Sequence, residues 1–312
     1  MTRFAAIDSG SNTFRLLIAE SSANGAPWQT VDYAYAITRL GEGLHHTGKL
    51  GEAGMRRAIE TYNTFAKILE DHAVSPERTF AAATAAVREA VNRDEFSARV
   101  QEETGIRIQV ISGEEEARMS LNGACSVLNP ETRENMLLFD IGGGSTEFIR
   151  AYGQKRVDDI SRKLGVVRLV EAHLKSDPPS SGDYVSLKQA ADAHLSEVEA
   201  FWPDHRAPAH LVGTAGTVTT LAATALNLFP YDAERINNYC MNRSVFDALR
   251  DRLLSLTHDE RRIIRTIETG RSDLIIAGLA IIEAVMDRWN YSELISVDAG
   301  LLEGLWLEIS KS

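Results

Sequence analysis

The chain has 312 residues, of which 44% are hydrophobic, so it can form two domains of ordinary size, each with a buried core. It carries 33 Lys and Arg against 44 Asp and Glu, a formal net charge of −11. This acidic balance argues against non-specific binding to nucleic acid or to an anionic membrane surface.

The cysteine content and the apolar runs indicate a cytoplasmic protein without a membrane partner. Two cysteines, Cys125 and Cys240, do not make a disulfide framework, and a reducing compartment is expected. Strand-like sequence begins at Phe4, so no signal peptide is expected. The longest apolar run, residues 274–282, is too short to cross a membrane. His45 and His46 are adjacent, but no further pattern of metal ligands accompanies them, so zinc is not expected.

The first predicted elements are two strands joined by a polar turn, residues 4–20. The first strand ends in the carboxylate Asp8, and the turn contains Gly10, Ser11, Asn12 and Thr13. Residues 30–38 read as a third strand.

A helix is predicted over residues 51–73, because apolar residues recur there at three- and four-residue steps. Its Arg56, Arg57 and Lys67 are expected on a solvated face. A short strand over 78–83 follows and leads to Arg88, at the strand end where α/β folds collect ligand-binding side chains. An arginine there could bind a phosphate or pair with a carboxylate, and the sequence favours neither.

Asn92 is expected to cap a helix that runs to about residue 103, with Glu95 as support. A strand over 106–111 follows. Ser112 and Glu115 have capping-box spacing, which predicts a helix from residue 113 to about 128. The acids Glu114, Glu115 and Glu116 suit the dipole of its first turn, but one of them could serve as a general base on water.

Residues 136–149, MLLFDIGGGSTEFI, form the most informative segment. An apolar strand ends in Asp140, and Gly142, Gly143, Gly144 and Ser145 follow before Glu147. Successive backbone N–H groups in such a turn form a concavity that binds anions, and the two acids could hold a cation. A plain hairpin turn is the alternative. The likeness to the first hairpin predicts two similar domains.

The remaining elements are mainly helical. A strand over 155–161, a helix over 184–202 and a strand over 210–212 precede the turn Gly213–Thr217, which could bind an anion or could only pack strand against helix. It matches neither a Walker A loop nor a dinucleotide fingerprint. Helices over 244–256, 259–264 and 272–289, a strand over 293–298 and a terminal helix over 301–309 are predicted, with a hinge at Ala299 and Gly300.

Together these residues resemble the exopolyphosphatase / guanosine pentaphosphate phosphohydrolase family of the actin–Hsp70–sugar-kinase superfamily. Seven blocks carry the resemblance in order: residues 8–13, 39–41, 84–88, 112–118, 140–147, 213–217 and 300–304. The resemblance implies an α/β fold of two ribonuclease-H-like domains with an active-site cleft between them. The expected domains are residues 1–118 with 300–312, and residues 119–299.

The resemblance also implies roles for particular residues. Glu116 would deprotonate the attacking water. Asp140 and Glu147, with Asp8, would hold magnesium or manganese directly or through water. The phosphate-binding residues would be Gly10, Ser11, Asn12, Thr13, Arg88, Gly142, Gly143, Gly144 and Ser145.

The chain departs from the family pattern in three respects. Ser9 stands where an apolar residue is more common, and Leu302 stands where the family often carries arginine. The third departure is length: long members add a C-terminal extension that helps to bind long polyphosphate, whereas this sequence stops just after the hinge helix. A preference for short polyphosphate is therefore expected here.

The expected function is magnesium-dependent hydrolysis of terminal phosphate from inorganic polyphosphate by a cytoplasmic homodimer. Guanosine pentaphosphate is the alternative substrate for the same site. A non-catalytic nucleotide-binding module and a sugar or acid kinase share the fold, which does not settle function. The three acids at 114–116 argue against a pure phosphate binder.

Overall fold

The computed structural model describes residues 2–22, 27–153, 155–202, 206–268 and 270–311. The chain forms two compact units, Met1–Val127 with Ala299–Ser312, and Leu128–Asp298. The first division falls at the end of a continuous helix, Gly113–Val127, whereas the predicted domain limit at 118/119 lies inside that helix. Hydrogen bonds run along the whole helix, so it stays with one unit.

The first unit contains five strands and six helices within its described residues. The elements, numbered in chain order, are β1 (Arg3–Ser9), β2 (Thr13–Glu20), β3 (Gln29–Ile37), α1 (Leu44–Thr47), α2 (Glu52–Asp71), β4 (Thr79–Ala83), α3 (Ala85–Glu89), α4 (Arg93–Thr104), β5 (Ile108–Val110), α5 (Gly113–Val127) and α14 (Leu301–Ile309). A single 3-10 turn, Pro76–Arg78, precedes β4.

The strands of the first unit form one sheet in the order β3-β2-β1-β4-β5. β1, β2 and β3 are antiparallel neighbours, whereas β1, β4 and β5 run parallel. The carboxyl ends of these three parallel strands therefore share one edge of the sheet. That edge is where open α/β sheets bind their ligands.

Helices cover both faces of this sheet, because successive side chains of a strand point to opposite sides. Ile7 packs with α2 and α4 on one face, and Ala6 packs with α5 and α14 on the other. Trp306 of α14 also donates its indole N–H to the carbonyls of Phe4 and Ala19, at 3.2 Å each. The terminal helix is thus part of the first core.

The second unit contains the remaining elements. They are α6 (Pro130–Glu134), β6 (Met136–Ile141), β7 (Thr146–Tyr152), β8 (Lys155–Arg162), α7 (Val166–His173), α8 (Ser181–Phe201), β9 (His210–Thr214), α9 (Ala215–Ala225), α10 (Ala233–Ile236), β10 (Tyr239–Asn242), α11 (Arg243–Ser255), α12 (His258–Arg262), α13 (Ile275–Arg288) and β11 (Glu293–Ser296).

The second sheet repeats the plan of the first. Its order is β10-β11-β9-β6-β7-β8, with β6, β7 and β8 antiparallel and with β9 parallel to both β6 and β11. Each unit thus begins its sheet with an antiparallel meander and adds parallel strands beside the meander's first strand. This confirms the predicted α/β class.

Helix α13 contains most of the longest apolar run and lies in the core of the second unit. Its residues from Ile275 to Met286 are all buried. Among the described residues, no helix combines the length and the apolar character needed to cross a membrane.

Two local features differ from the expectations. Strand β10 was missed, because four residues give no periodic signal and the strand is defined by pairing with β11. Asn92 is the N-cap residue of α4, as expected, but its side chain makes no hydrogen bond to the helix. Its amide instead accepts from Leu50 N at 2.9 Å and donates to Leu50 O at 3.1 Å, satisfying that backbone. The capping box of Ser112 and Glu115 is confirmed.

Helices α5 and α14 approach each other through glycines. A Cβ atom on Gly304 would lie 1.9 Å from Met119 O, and one on Gly123 would lie 1.9 Å from Gly300 O. Both contacts are with backbone atoms, which cannot turn aside as a flexible side chain can. The two helices can therefore pack at this distance only if both positions lack a side chain.

We expect Gly304→Ala to destabilise the first unit by about 1–3 kcal/mol, because α14 must move away from α5 to admit the methyl group. Urea denaturation gives the free energy of unfolding. Gly182→Ala in α8 is the control, since a Cβ there meets only Ser180 Oγ, at 3.8 Å. Equal stability changes in the two variants would contradict the close approach.

Candidate active site

The turn between β1 and β2 is held closed from within and braced from behind. Gly10 N donates to Thr13 O at 3.1 Å. The carbonyl of Asn12 accepts from the N–H groups of Thr38 and Arg39, at 2.9 and 3.0 Å, and Ser11 O accepts from Gly41 N at 2.8 Å. The carbonyl groups of the turn thus point toward the protein.

This arrangement leaves the amide groups of the turn for a ligand. Within the described residues, the N–H groups of Ser11 and Asn12 have no acceptor, and Asn12 Oδ1 is buried without a hydrogen-bond partner. Both side chains are buried. Successive N–H groups that point the same way can form an anion-binding concavity, and Ser11 and Asn12 have such groups, whereas the N–H of Gly10 is engaged within the turn. Phosphate binding by Gly10, Ser11, Asn12 and Thr13 stays a prediction.

Asp8 lies at the end of β1, directly opposite Arg15 on β2. Its Oδ2 accepts from Arg15 Nη2 at 2.6 Å and from Nε at 3.1 Å. Burial acts to lower the pKa of Arg15, but the Asp8 carboxylate outweighs it, so that the pKa lies above its ordinary value. Asp8 therefore has a cationic partner in its own hairpin.

The structure brings Arg88 and Glu116 together at the carboxyl edge of the first sheet. Arg88 Nη1 donates to Glu116 Oε2 and to Ile111 O, at 2.9 Å each. Arg88 follows β4 and Glu116 lies in the first turn of α5 after β5, so two neighbouring parallel strands supply the pair. Thr84, at the start of this segment, donates its N–H to Ser9 O at 3.3 Å.

The three acids of α5 have different surroundings. Glu114 and Glu115 are exposed, whereas Glu116 is buried, with 6% of its surface accessible. Glu115 caps the helix: hydrogen bonds from the backbone N–H of Ser112 and from its side chain lower the pKa of Glu115. Of the three acids, Glu116 is thus the one that is both buried and not engaged in the helix cap.

The glycine turn of the second unit has the same construction as the first turn. Gly142 N donates to Ser145 O at 2.9 Å. Three carbonyls of the turn accept hydrogen bonds from the segment after β8: Gly142 O from Val166 N at 3.1 Å, Gly143 O from Val167 N at 3.0 Å, and Gly144 O from Arg168 Nε at 2.8 Å.

Gly165 lets this segment come close to the turn. A Cβ atom at Gly165 would lie 2.2 Å from Gly143 O, so only glycine fits. Among the described residues, no acceptor is present for the N–H groups of Gly143, Gly144 and Ser145. Gly142, Gly143, Gly144 and Ser145 therefore form a turn that is held in place through its carbonyls rather than a plain flexible hairpin.

A row of polar residues crosses the second sheet beside this turn. Asp140 lies directly opposite Glu147 on β7 and beside Thr214 on β9, and Glu147 is opposite Ser161 on β8. Residues in register share one face of a sheet. Asp140 is 8% and Glu147 1% exposed, and Ser161 Oγ donates to Glu147 Oε1 at 2.7 Å.

These two acids fit the expected divalent metal. Buried carboxylates directly opposite each other repel, and a divalent cation offsets that repulsion. Carboxylate oxygens are also the ligands that magnesium and manganese prefer. Asp8, the third predicted metal residue, differs from both because Arg15 already neutralises it.

The turn Gly213–Thr217 joins β9 to α9 with a strained backbone. Ala215 has a φ of 66°, a left-handed conformation that costs a non-glycine residue free energy. The guanidinium of Arg271 lies against Gly216, where a Cβ atom would meet Arg271 Nη1 at 1.2 Å. The contact of Arg271 with Gly216 could not be predicted, since Arg271 lies in no motif and no apolar period distinguishes it from other arginines.

Comparisons with known proteins identify the family. The model of the Ppx/GppA phosphatase family matches residues 17–312. The chain belongs to the Ppx/GppA phosphatase family. The family predicted from the sequence is thereby confirmed, and with it the expected class of phosphohydrolase.

Three relatives illustrate the range of this phosphatase family. Exopolyphosphatase 2 of Mycobacterium tuberculosis is 32% identical over 99% of both chains. The crystal structure of an exopolyphosphatase from Cytophaga hutchinsonii is 29% identical, with a TM-score of 0.91 over 99% of this chain and 98% of that one. A bifunctional 3-dehydroquinate synthase/phosphatase of Fusobacterium nucleatum is 30% identical over 97% of this chain, which spans only 46% of that protein.

Ser9, one departure from the family pattern, contacts helix α2. Its Oγ lies 2.5 Å from the hydroxyl of Tyr62, and both residues are buried. Burial raises the pKa of Tyr62 above its ordinary value, so the hydroxyl keeps its proton and can act as a donor. The serine thus ties the end of β1 to α2.

We expect Tyr62→Phe and Ser9→Ala each to destabilise the protein by about 1–3 kcal/mol, because each leaves one buried hydroxyl without its partner. The double variant should cost less than the sum of the two, since neither hydroxyl then remains. Thermal or urea unfolding of the four proteins measures this coupling. Additive effects would show that the hydrogen bond contributes nothing.

Proposed function

We propose that the protein is an exopolyphosphatase that hydrolyses the terminal phosphate of inorganic polyphosphate. One observation carries this conclusion: the ion pair of buried Glu116 and half-buried Arg88 lies where β5 and β4 end, and β4 is the parallel neighbour of β1, which leads into the Gly10–Thr13 turn. A hydrolase needs a fixed base near bound phosphate, whereas a pure binder of phosphate gains nothing from a carboxylate. The names of the mycobacterial and Cytophaga relatives support the same substrate class.

Glu116 acts as the general base. It takes a proton from a water molecule whose oxygen attacks the terminal phosphorus. The bond between that phosphorus and the bridging oxygen breaks, and the shortened chain leaves with the bonding electrons. The products are one phosphate and a polyphosphate that is one unit shorter.

Arg88 has two tasks in this reaction. Its Nη1 holds the Glu116 carboxylate in place and is itself fixed by Ile111 O. Within the described residues only Nη1 of Arg88 is engaged, so Nε and Nη2 are available for a phosphate oxygen. The two readings that the sequence left open, carboxylate partner and phosphate ligand, are therefore compatible.

The two backbone turns bind phosphate oxygens. Gly10–Thr13 serves in the first unit and Gly142–Ser145 in the second, each through N–H groups that are fixed before the substrate arrives. Phosphoryl transfer depends mainly on positioning and on stabilising negative charge, and preorganised N–H groups supply both.

Asp140 and Glu147 would hold a magnesium ion, or manganese in its place, and the ion would supply positive charge against the negative charge of the phosphate oxygens. Asp8 contributes less directly, because Arg15 shares its carboxylate. Magnesium also matches the hard oxygen chemistry of the substrate.

Guanosine pentaphosphate is a second candidate substrate, because its terminal phosphoanhydride offers the same bond to the same base. We further propose a cytoplasmic homodimer. Cys125 and Cys240 form no disulfide within the described part of the chain, which supports a reducing compartment, and twofold dimers are the commonest assemblies. The net charge of −11 supports a protein that takes neither nucleic acid nor an anionic membrane as its partner.

Glu116→Gln should lower kcat for phosphate release from polyphosphate by about 10²–10⁴-fold, the usual contribution of a general base. Short and long polyphosphate, guanosine pentaphosphate and ATP would be compared with magnesium present. Glu114→Gln is the matched control, since it changes the same charge at an exposed position of the same helix turn. Near-normal turnover by Glu116→Gln would refute its role as the base.

Asp140→Asn and Glu147→Gln should each raise the magnesium concentration for half-maximal activity at least about tenfold, because each removes one charged ligand. Activity is measured across a magnesium series after chelator treatment of the enzyme. Glu131→Gln, an exposed acid of the same unit, should leave the series unchanged. If all variants had the wild-type magnesium dependence, the metal would have to be held elsewhere.

A further inference from the structure

Arg57 keeps 37% of its side-chain surface exposed, in line with the expected solvated face of α2, but it also makes hydrogen bonds that the helix pattern does not predict. Its Nε donates to Thr38 O at 2.7 Å, and its Nη2 to Arg39 O at 3.4 Å and to Glu42 Oε2 at 3.1 Å. Its neighbour Arg56 on α2 is exposed. Two arginines adjacent in sequence thus have different surroundings.

The residues that Arg57 binds are those that brace the first phosphate-binding turn. Thr38 N and Arg39 N both donate to Asn12 O, at 2.9 and 3.0 Å. The peptide group between Thr38 and Arg39 therefore accepts from Arg57 through its carbonyl and donates to Asn12 through its N–H. One peptide group connects the guanidinium to the turn, and hydrogen bonds in such a chain polarise one another.

Thr38 and Arg39, called the brace from here on, have a strained backbone. Arg39 has a φ of 49°, in the left-handed region that non-glycine residues rarely occupy. Such a conformation persists only where the surrounding contacts fix it, and Arg57 supplies one of these contacts at each carbonyl, Thr38 and Arg39. Without the guanidinium, the 38–39 peptide can relax toward a favoured conformation and release Asn12 O.

We propose that Arg57 is a positioning residue that sets the direction of the Ser11 and Asn12 N–H groups toward phosphate. The inference rests on the phosphate-binding role proposed for that turn. Two of the hydrogen bonds from Arg57 go to the carbonyls of Thr38 and Arg39 and the third goes to Glu42, so its link to the turn runs through the brace. Its loss should therefore weaken substrate binding more than it slows the chemical step.

Arg57→Gln should raise KM for tripolyphosphate about tenfold, while kcat falls less than about threefold, because the Arg88–Glu116 pair comes from other strand ends. Arg57→Lys should recover part of the lost affinity, since an ammonium group can still donate to Thr38 O. Arg56→Gln, which removes the same charge from an exposed neighbour, should match wild type. Thermal unfolding of each variant separates loss of fold from loss of positioning.

A binding measurement makes this test independent of turnover. Tripolyphosphate affinity is measured by calorimetry in the Glu116→Gln protein with and without Arg57→Gln, and should fall about tenfold in the double variant. A wild-type protein that binds tripolyphosphate but releases no phosphate would refute the exopolyphosphatase proposal, while the same fall in affinity would still support the role of Arg57.

Three results would overturn the positioning role. Arg57→Gln could bind tripolyphosphate as tightly as Arg56→Gln. The Arg57→Gln substitution could lower kcat at unchanged KM, which would show that Arg57 acts on the chemical step and not on substrate binding. Tripolyphosphate could fail to bind the wild-type protein at all, which would remove the turn's function and the role of Arg57 with it.

Discussion

The hydrogen bonds that hold the turn carbonyls from behind are the constraint on which each of the two proposed phosphate-binding turns depends. A glycine-rich turn is flexible in isolation, and its N–H groups would point in many directions. In each unit the segment after the third strand of the meander donates to those carbonyls, through the N–H groups of Thr38, Arg39 and Gly41 in one and of Val166 and Val167 in the other. Fixing the carbonyls fixes the N–H groups on the opposite side of each turn. The free energy of ordering is thus spent during folding and not when phosphate binds.

The two hairpins share this frame but differ in the residue opposite the strand-end aspartate. Asp8 faces Arg15 in the first unit, whereas Asp140 faces Glu147 in the second. Asp8 forms an ion pair with that arginine, whereas Asp140 and Glu147 are the two acids for which we propose a metal ion. The two hairpins share their backbone geometry and differ in the charge of this one cross-strand residue.

Much of the fold and of the site follows from local sequence, and the rest depends on long-range contacts. The strand–turn–strand units, the helix at Gly113–Val127 and its Ser112–Glu115 cap could be predicted because apolar period and cap spacing are local properties. The roles of Arg57, Arg271 and Asn92 could not, because each is defined by backbone groups far along the chain: Thr38, Gly216 and Leu50. Glu116 lies between these cases, since its sequence position suggested a cap and only its burial beside Arg88 distinguishes it from Glu114 and Glu115.

The return of the terminal helix to the first unit has a consequence for how the protein is made. The second unit is one continuous segment, so its core can form while the ribosome is still adding later residues. The first unit has to wait, because Leu302, Leu305 and Trp306 complete one face of its sheet. Until they emerge, Ala6, Leu17 and Met119 expose apolar surface although they were synthesised early. The early strands of the first unit therefore stay partly uncovered until a helix from much later in the chain packs on the apolar surface that they create.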